Sequence, residues 1–143
     1  MRTEVEILKR TKVIAVVGAS SDVERPAYKV PRTVMSYGYT VIPVNPNEKE
    51  VLGQRAYSAL SEIPVKVDLV NVFRRSENVS PVVDQAIEIG AAAIWMQLGV
   101  QDAVAAERAL SYGVDVVMDR CIECAIREYA KELNLHSVFD LNS

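Results

Sequence analysis

Five short apolar runs alternate with segments of helical pattern along the 143 residues of this chain. The runs cover residues 13–17, 39–44, 68–73, 92–97 and 114–118. They are rich in valine and isoleucine, which is typical of strands buried on both faces of a parallel sheet. The alternation predicts βαβ units with right-handed crossovers. We therefore expect an α/β fold: a parallel sheet of about five strands with helices on both faces.

Caps and breakers place the helices between these runs. The pattern predicts helices over residues 3–10, 26–37, 76–89, 101–112 and 121–133, and one short helix from Ser58 within a connection over residues 54–64. Thr3 and Glu6 have the spacing of a capping box. Pro31 falls inside the second helix, where it either kinks that helix or marks the first turn of a shorter one.

The composition limits the class of protein. Half of the residues are hydrophobic, yet no apolar run approaches the roughly 20 residues that span a membrane. The first ten residues mix acids with bases and do not resemble a signal peptide. The net charge of −3 argues against a nucleic-acid-binding protein. We expect a single cytoplasmic domain over residues 1–143, with Cys121 and Cys124 reduced.

A glycine turn follows the first predicted strand, where parallel sheets bind their ligands. A dinucleotide fingerprint aligned on Gly18 would need glycines at positions 18, 20 and 23. Ser20 and Val23 replace the second and third. The serine hydroxyls and the start of the next helix can still donate hydrogen bonds to a phosphate. The competing interpretation is that Gly18 only turns a strand into a helix.

The end of the second strand gives an independent test for a nicotinamide cofactor. NAD sites usually place an acid there for the ribose hydroxyls, and NADP sites place an arginine nearby. The strand ends in Val44, Asn45 and Pro46, and no acid occurs before Glu48. Both observations disfavour NAD and NADP.

Five stretches of the chain resemble a known family. They read VVGASSDVERPAYKV, YTVIPVNPNEKEVLGQRAYSALSEIP, VDLVNVFRRSENV, AAIWMQLGV and VVMDRCIE. Together they are similar to the small stand-alone CoA-binding proteins and to the CoA-binding domain of succinyl-CoA synthetase α-subunits. The resemblance implies a three-layer Rossmann-like fold with a doubly wound sheet, and coenzyme A at the carboxyl edge of that sheet.

The resemblance also implies which residues meet CoA. The glycine loop and the following helix would meet the phosphates, the third strand end the adenosine, and the fourth strand end the pantetheine. The implied residues are Gly18, Ala19, Ser20, Ser21, Arg25, Lys29, Asn45, Pro46, Val72, Phe73, Arg74, Met96, Gln97 and Gly99. Relatives often carry a histidine after the DRC turn. Here the only histidine is His136, so no histidine role is carried over.

The charges of CoA fit this assignment. Its pyrophosphate and 3′-phosphate need several positive donors, and arginine forks suit terminal phosphates. The donors expected at this edge are Arg25, Lys29, Arg32 and Arg74, and the residues expected to line an adenine slot are Val44, Pro46 and Val72.

The C-x-x-C of Cys121 and Cys124 leaves three interpretations open. It can be a redox pair at a helix start, where Arg120 would assist. Cys124 can instead be a small buried helix residue. Cys121 can also lie near the pantetheine thiol of CoA and exchange disulfides with it. A zinc site would lack ligands, so we expect no metal. No serine has the surroundings of a nucleophile, so we expect no catalytic residue.

The function expected from the sequence is a module that binds or senses CoA or a short acyl-CoA without evident catalysis. The alternatives are an NAD(P)-dependent oxidoreductase and a C-x-x-C redox protein. A homodimer or a different partner protein is left open.

Overall fold

The computed structural model describes residues 1–140 of the chain. In chain order the strands are β1 (Val13–Val17), β2 (Thr40–Val44), β3 (Glu50–Val51), β4 (Gln54–Arg55), β5 (Leu69–Val72), β6 (Ala93–Met96) and β7 (Asp115–Val117). Five of them form one parallel sheet in the order β2-β1-β5-β6-β7. The chain builds outward on one side of β1 and then returns to build on the other. This is the predicted doubly wound, Rossmann-like α/β fold, and the strand order switches between β1 and β5.

Five α-helices cover the two faces of this sheet. They are α1 (Glu4–Arg10), α2 (Pro26–Ser36), α3 (Val79–Glu88), α4 (Ala103–Ser111) and α5 (Ile122–Leu133). Helices α1, α2 and α5 pack together on one face, and α3 and α4 pack on the other. The predicted helices are confirmed with small shifts at their ends. Among residues 1–140, no helix is both long and apolar enough to cross a membrane.

Alternation along each strand divides the core into two layers. Ile14 and Val16 join the layer under α1, α2 and α5, whereas Ala15 and Val17 join the layer under α3 and α4. Trp95 is fully buried, and its indole Nε1 donates to the carbonyl of Arg120 at 2.8 Å. The expectation that both faces of the strands are buried is confirmed.

The connection after β2 differs from the sequence prediction. Residues 50–55 form the antiparallel hairpin β3–β4, which the sequence analysis missed. The short helix expected from Ser58 is a single 3-10 turn, Leu60–Glu62. Strands of two residues carry too little alternation to be recognised from their pattern.

Pro31 stays inside α2 without ending it, and its effect falls on the glycine loop. A proline has no N–H, so in α2 the carbonyl four residues earlier, that of Ala27, receives no bond from position 31. That carbonyl accepts instead from the backbone N–H of Ser20 at 3.2 Å. The helix breaker therefore frees an acceptor that attaches the loop after β1 to the first turn of α2.

Candidate functional site

A cleft of about 990 Å³ opens at the carboxyl ends of the sheet strands. It lies over the switch between β1 and β5, where open α/β sheets bind ligands. Its walls come from the segments that follow each of the five strands, from Asn45 after β2 to Cys121 after β7. Five strands span four strand spacings, about 19 Å. The cleft is therefore long and shallow enough for an extended ligand.

Most of the residues that the sequence suggested line this cleft. They are Gly18, Ser20, Ser21, Arg25, Asn45, Phe73, Arg74, Gln97 and Cys121. Six others do not line it. Ala19, Val72 and Met96 are fully buried in the core, Lys29 lines a separate depression, and Pro46 and Gly99 are exposed outside the cleft. Of the three residues expected to line an adenine slot, Val44 and Val72 pack in the core and Pro46 lies outside this cleft.

Gly18 makes the turn at the end of β1, and its backbone has a φ of +93°. A Cβ placed there would lie 2.1 Å from the carbonyl oxygen of Phe73. Its N–H donates to the carbonyl of Val44 at 2.8 Å. Glycine is required because this turn packs against the end of β5, in addition to any closeness to a ligand.

The two serines after Gly18 differ in what they can offer. The Ser20 hydroxyl accepts from the N–H of Asp22 at 3.0 Å and keeps its own proton for donation. The N–H of Ser21 donates to a carboxylate oxygen of Glu48 at 3.1 Å. Glu48 thus occupies a donor that a phosphate would otherwise use. It also brings an acid from beyond β2 into the cleft, which weakens the sequence argument against NAD.

The start of α2 supplies fewer donors than a helix N-terminus usually does. Pro26 at its first position has no N–H, and the N–H groups of Tyr28 and Lys29 both bond to the carbonyl of Arg25 at 3.0 Å. Within the described chain, the N–H of Ala27 is the donor of this turn without a partner. The positive end of the helix dipole still faces the cleft.

Three arginines carry the positive charge of the cleft. Arg25 pairs with Asp22 at 3.4 Å, and Arg74 and Arg75 have no ion-pair partner among residues 1–140. Two members of the expected cluster of four cations, Lys29 and Arg32, lie outside this cleft. The Lys29 ammonium lies 4.0 Å from Glu24, and Arg32 lines the depression that holds Lys29.

A buried amide network holds the far end of the cleft. The Gln97 side-chain oxygen accepts from the N–H of Ile122 at 3.2 Å and from the Asn71 amide at 3.3 Å. Because both partners are donors, the oxygen must face them. The Gln97 amide nitrogen is then the group left to donate toward the cleft. Asn71, which is 1% exposed, also donates to the carbonyl of Trp95.

Cys121 is the N-cap residue of α5, although its side chain makes no capping hydrogen bond, and Cys124 lies in the first turn of the helix. Both are free thiols. A hydrogen bond to Cys121, with a smaller contribution from burial, raises the pKa of Cys124 to about 11. The Arg120 guanidinium, which was expected to assist the thiols, pairs with Glu4 at 3.4 Å and with Glu128 at 2.5 Å.

Cys121, Glu123 and Cys124 place their ligand atoms within 4.8 Å of one another. Structural zinc sites take four ligands, and this group offers three among the described residues. The Glu123 carboxylate is also engaged by Arg127. The absence of a metal stays a prediction.

Several residues of the cleft were missed by the sequence analysis. Arg75 follows Arg74 in the same loop, and its position after a strand was a usable signal. Pro26, Ala27 and Val30 have the spacing of one helix face, but nothing in the sequence directed that face to the cleft. Asn71 lies buried behind Gln97 and not in the cleft wall, and it could have been noticed as the one polar residue within β5 (LVNV).

Comparison with known proteins adds an independent observation. A family model described as a CoA binding domain matches residues 12–127. YneT, an uncharacterized protein from Bacillus subtilis, is 42% identical over 120 residues, which cover 84% of this chain and 89% of YneT. A solved structure of a hypothetical protein from Pyrococcus horikoshii superposes with a TM-score of 0.84 at 35% identity, covering 89% of this chain and 92% of that one.

One relative with a named activity matches over a shorter stretch. The α-subunit of an ADP-forming acetate–CoA ligase from Pyrococcus furiosus is 47% identical over 57 residues. The match covers 39% of this chain and 12% of that subunit.

Proposed function

This chain belongs to the CoA-binding domain family, and we propose that it binds coenzyme A or a short acyl-CoA in the cleft at the carboxyl edge of its sheet. The observation that carries the proposal is the cleft itself. It combines the Gly18 turn, two serine hydroxyls and three arginines at the switch point of the sheet.

The phosphates of CoA find their partners in the central part of the cleft. Arg25 and the serine hydroxyls follow β1, and Arg74 and Arg75 follow the neighbouring β5. These groups can share a pyrophosphate and a 3′-phosphate between two loops. Charge-assisted hydrogen bonds of this kind are roughly twice as strong as neutral ones. Binding displaces Glu48 from the Ser21 N–H, since a phosphate and a carboxylate cannot share that donor.

The pantetheine arm belongs at the end of the cleft that β6 and α5 form. This arm is a chain of methylenes and amides that ends in a thiol. Leu98 and Val100 offer apolar surface there, and the Gln97 amide nitrogen offers a donor to an amide carbonyl. Apolar and amide side chains thus line the end of the cleft where the uncharged pantetheine arm would lie.

The role that follows from such binding is to hold or sense CoA for another protein. No acid–base pair or metal-dependent centre is needed for that role. The match to the ligase α-subunit covers only 12% of that subunit, so its ligase activity is not extended to this chain.

A nicotinamide dinucleotide is the second candidate, and Glu48 favours it. An acid beyond the second strand commonly hydrogen-bonds a ribose hydroxyl of NAD. Against it stands the single glycine of the loop, since a dinucleotide fingerprint needs three.

The identity of the ligand can be read from the protein as purified. The chain is prepared without added nucleotide and denatured, and the released small molecules are identified by mass. Release of CoA or an acyl-CoA supports the proposal, and release of NAD or NADP overturns it. Where the purified protein carries no nucleotide, its Tm is measured in the presence of CoA, NADP or ATP. The proposal requires that CoA give the largest increase in Tm.

A further inference from the structure

Of the two cysteines of the C-x-x-C at the start of α5, one lines the cleft and the other lies outside it. Cys121 is half-buried and lines the cleft beside Gln97 and Leu98. Cys124 is exposed and lies outside the cleft wall. Their sulfur atoms lie within 4.8 Å of each other. One thiol therefore faces the ligand space, and a second thiol lies directly behind it.

We propose that Cys121 attacks disulfide-bonded CoA held in the cleft, and that Cys124 resolves the mixed disulfide that results. The inference rests on the proposed CoA site. It adds a reaction to that site: thiol–disulfide exchange that converts CoA disulfide to the thiol.

The position of Cys121 matches the thiol end of the proposed ligand. The cationic and hydroxyl groups of the cleft follow β1 and β5, whereas Cys121 lies beyond β6 with apolar and amide neighbours. The bond between Gln97 and the N–H of Ile122 fixes the residue next to Cys121 to the end of β6. A ligand whose phosphates lie at the arginines thus directs its sulfur toward Cys121.

The order of attack follows from access and protonation. Cys121 is the thiol that meets the cleft. Cys124 is held protonated at neutral pH, because its hydrogen bond to Cys121, burial and the nearby Glu123 carboxylate all raise its pKa. Cys124 thus stays a thiol while Cys121 reacts, and its own later attack relies on its closeness to the Cys121 sulfur.

The reaction has two steps. The Cys121 thiolate attacks one sulfur of CoA disulfide, a Cys121–CoA disulfide forms, and one CoA leaves as a thiolate that takes a proton from solvent. Cys124 then gives up its proton to solvent and attacks the Cys121 sulfur. The second CoA leaves as thiol, and a Cys121–Cys124 disulfide remains. Two electrons pass from the protein dithiol to the CoA disulfide, and an added dithiol such as dithiothreitol restores the starting state.

The second step needs only a small movement. A disulfide requires the sulfurs to approach to about 2.05 Å. The present separation of at most 4.8 Å closes by rotation of the two side chains. Cys121 is the N-cap residue of α5 and Cys124 lies in the first turn of that helix, so no other element has to move.

The test uses intact-protein mass spectrometry with CoA disulfide as the probe. Cys124→Ser should accumulate one disulfide-linked CoA, because the resolving thiol is gone. Wild-type protein should release CoA thiol and end with an internal disulfide and no adduct. Cys121→Ser should give neither product. The two serine variants are matched controls for each other, and calorimetry with CoA verifies that each still binds.

The rate must also depend on the cleft. Adduct formation on Cys124→Ser should be about tenfold or more faster with CoA disulfide than with glutathione disulfide, because binding aligns the reacting sulfurs. Excess CoA that lacks the thiol should slow it. Three results would overturn the inference: equal rates of adduct formation with both disulfides, no slowing by excess CoA that lacks the thiol, or an adduct on Cys124 in the Cys121→Ser variant. CoA binding without any adduct overturns it and leaves the proposed function standing, whereas the absence of calorimetric CoA binding to the wild-type protein removes both.

Discussion

Gly18 and Phe73 meet so closely that a side chain on Gly18 would lie 2.1 Å from the Phe73 carbonyl oxygen. The contact joins the ends of β1 and β5, the two strands between which the strand order switches. The glycine loop is therefore held against the floor of the cleft by packing as well as by hydrogen bonds.

Replacing Gly18 by alanine should destabilise the protein. The change adds a clash with backbone to a φ of +93°, and we expect a loss of at least about 2 kcal/mol in the free energy of unfolding. Urea denaturation measures the loss. Gly113→Ala is the matched control, because its φ is +79° and nothing lies within 4 Å of the new Cβ. Equal losses in both variants would show that the contact with Phe73 is unimportant.

Replacing Arg74 by alanine should weaken CoA binding about tenfold or more. A charge-assisted hydrogen bond contributes about 1.5–3 kcal/mol, and about 1.4 kcal/mol corresponds to a factor of ten. Calorimetric titration with CoA gives the dissociation constants of the wild type and of the Arg74→Ala variant. Arg32→Ala serves as the control, since the Arg32 guanidinium lies 4.5 Å from the Phe139 ring centroid and outside the cleft. The assignment fails if both variants lose affinity equally.

Replacing Glu48 by glutamine separates the two candidate ligands. If CoA binds, removal of a negative charge beside the phosphates should strengthen binding by about two- to threefold. If a dinucleotide binds through its ribose, the same change should weaken binding. Glu24→Gln controls for the general loss of an acid, because Glu24 is exposed and lies outside the cleft. The comparison is made by titrating each ligand into each variant.

The Gln97 network should contribute to stability through its acceptor. Gln97→Leu leaves the N–H of Ile122 and the Asn71 amide without that oxygen, at a cost of about 1–3 kcal/mol. Gln97→Glu keeps an acceptor in place and should lose less. Urea midpoints of the two variants and the wild type test this ranking, and a leucine variant as stable as wild type would contradict it.

The fold was predictable from the sequence because its strands are long enough to show their pattern. Runs such as VIAVV are continuous and apolar, and helices with capping residues separate them. The β3–β4 hairpin escaped prediction because each strand has two residues. Thr3 and Glu6 form the capping box that their spacing indicated.

The position of the cleft was predictable from the sequence, but its lining residues were less so. Strand ends mark one edge of a parallel sheet, so Gly18, Asn45 and Gln97 could be placed at that edge in advance. The direction of a side chain depends on strand register and helix rotation. For that reason Val72 and Met96 proved to be core residues, although they lie beside Phe73 and Gln97 in the sequence.

Long-range contacts were beyond the reach of sequence patterns. Glu48 lies 27 residues from Ser21 and meets its N–H only because β1 and β2 are neighbours in the sheet. Arg32 follows Lys29 by three residues and so shares its face of α2, away from the cleft. Arg32 was expected at the phosphates, but its position on α2 places it outside the cleft.

CoA as the ligand of the cleft is tested by calorimetric titration of the wild-type protein with CoA, dephospho-CoA and NADP under one set of conditions. We expect CoA to bind at one site per chain, dephospho-CoA to bind about tenfold more weakly because the arginines lose the 3′-phosphate, and NADP to bind most weakly. Absence of CoA binding, or tighter binding of NADP than of CoA, would contradict it.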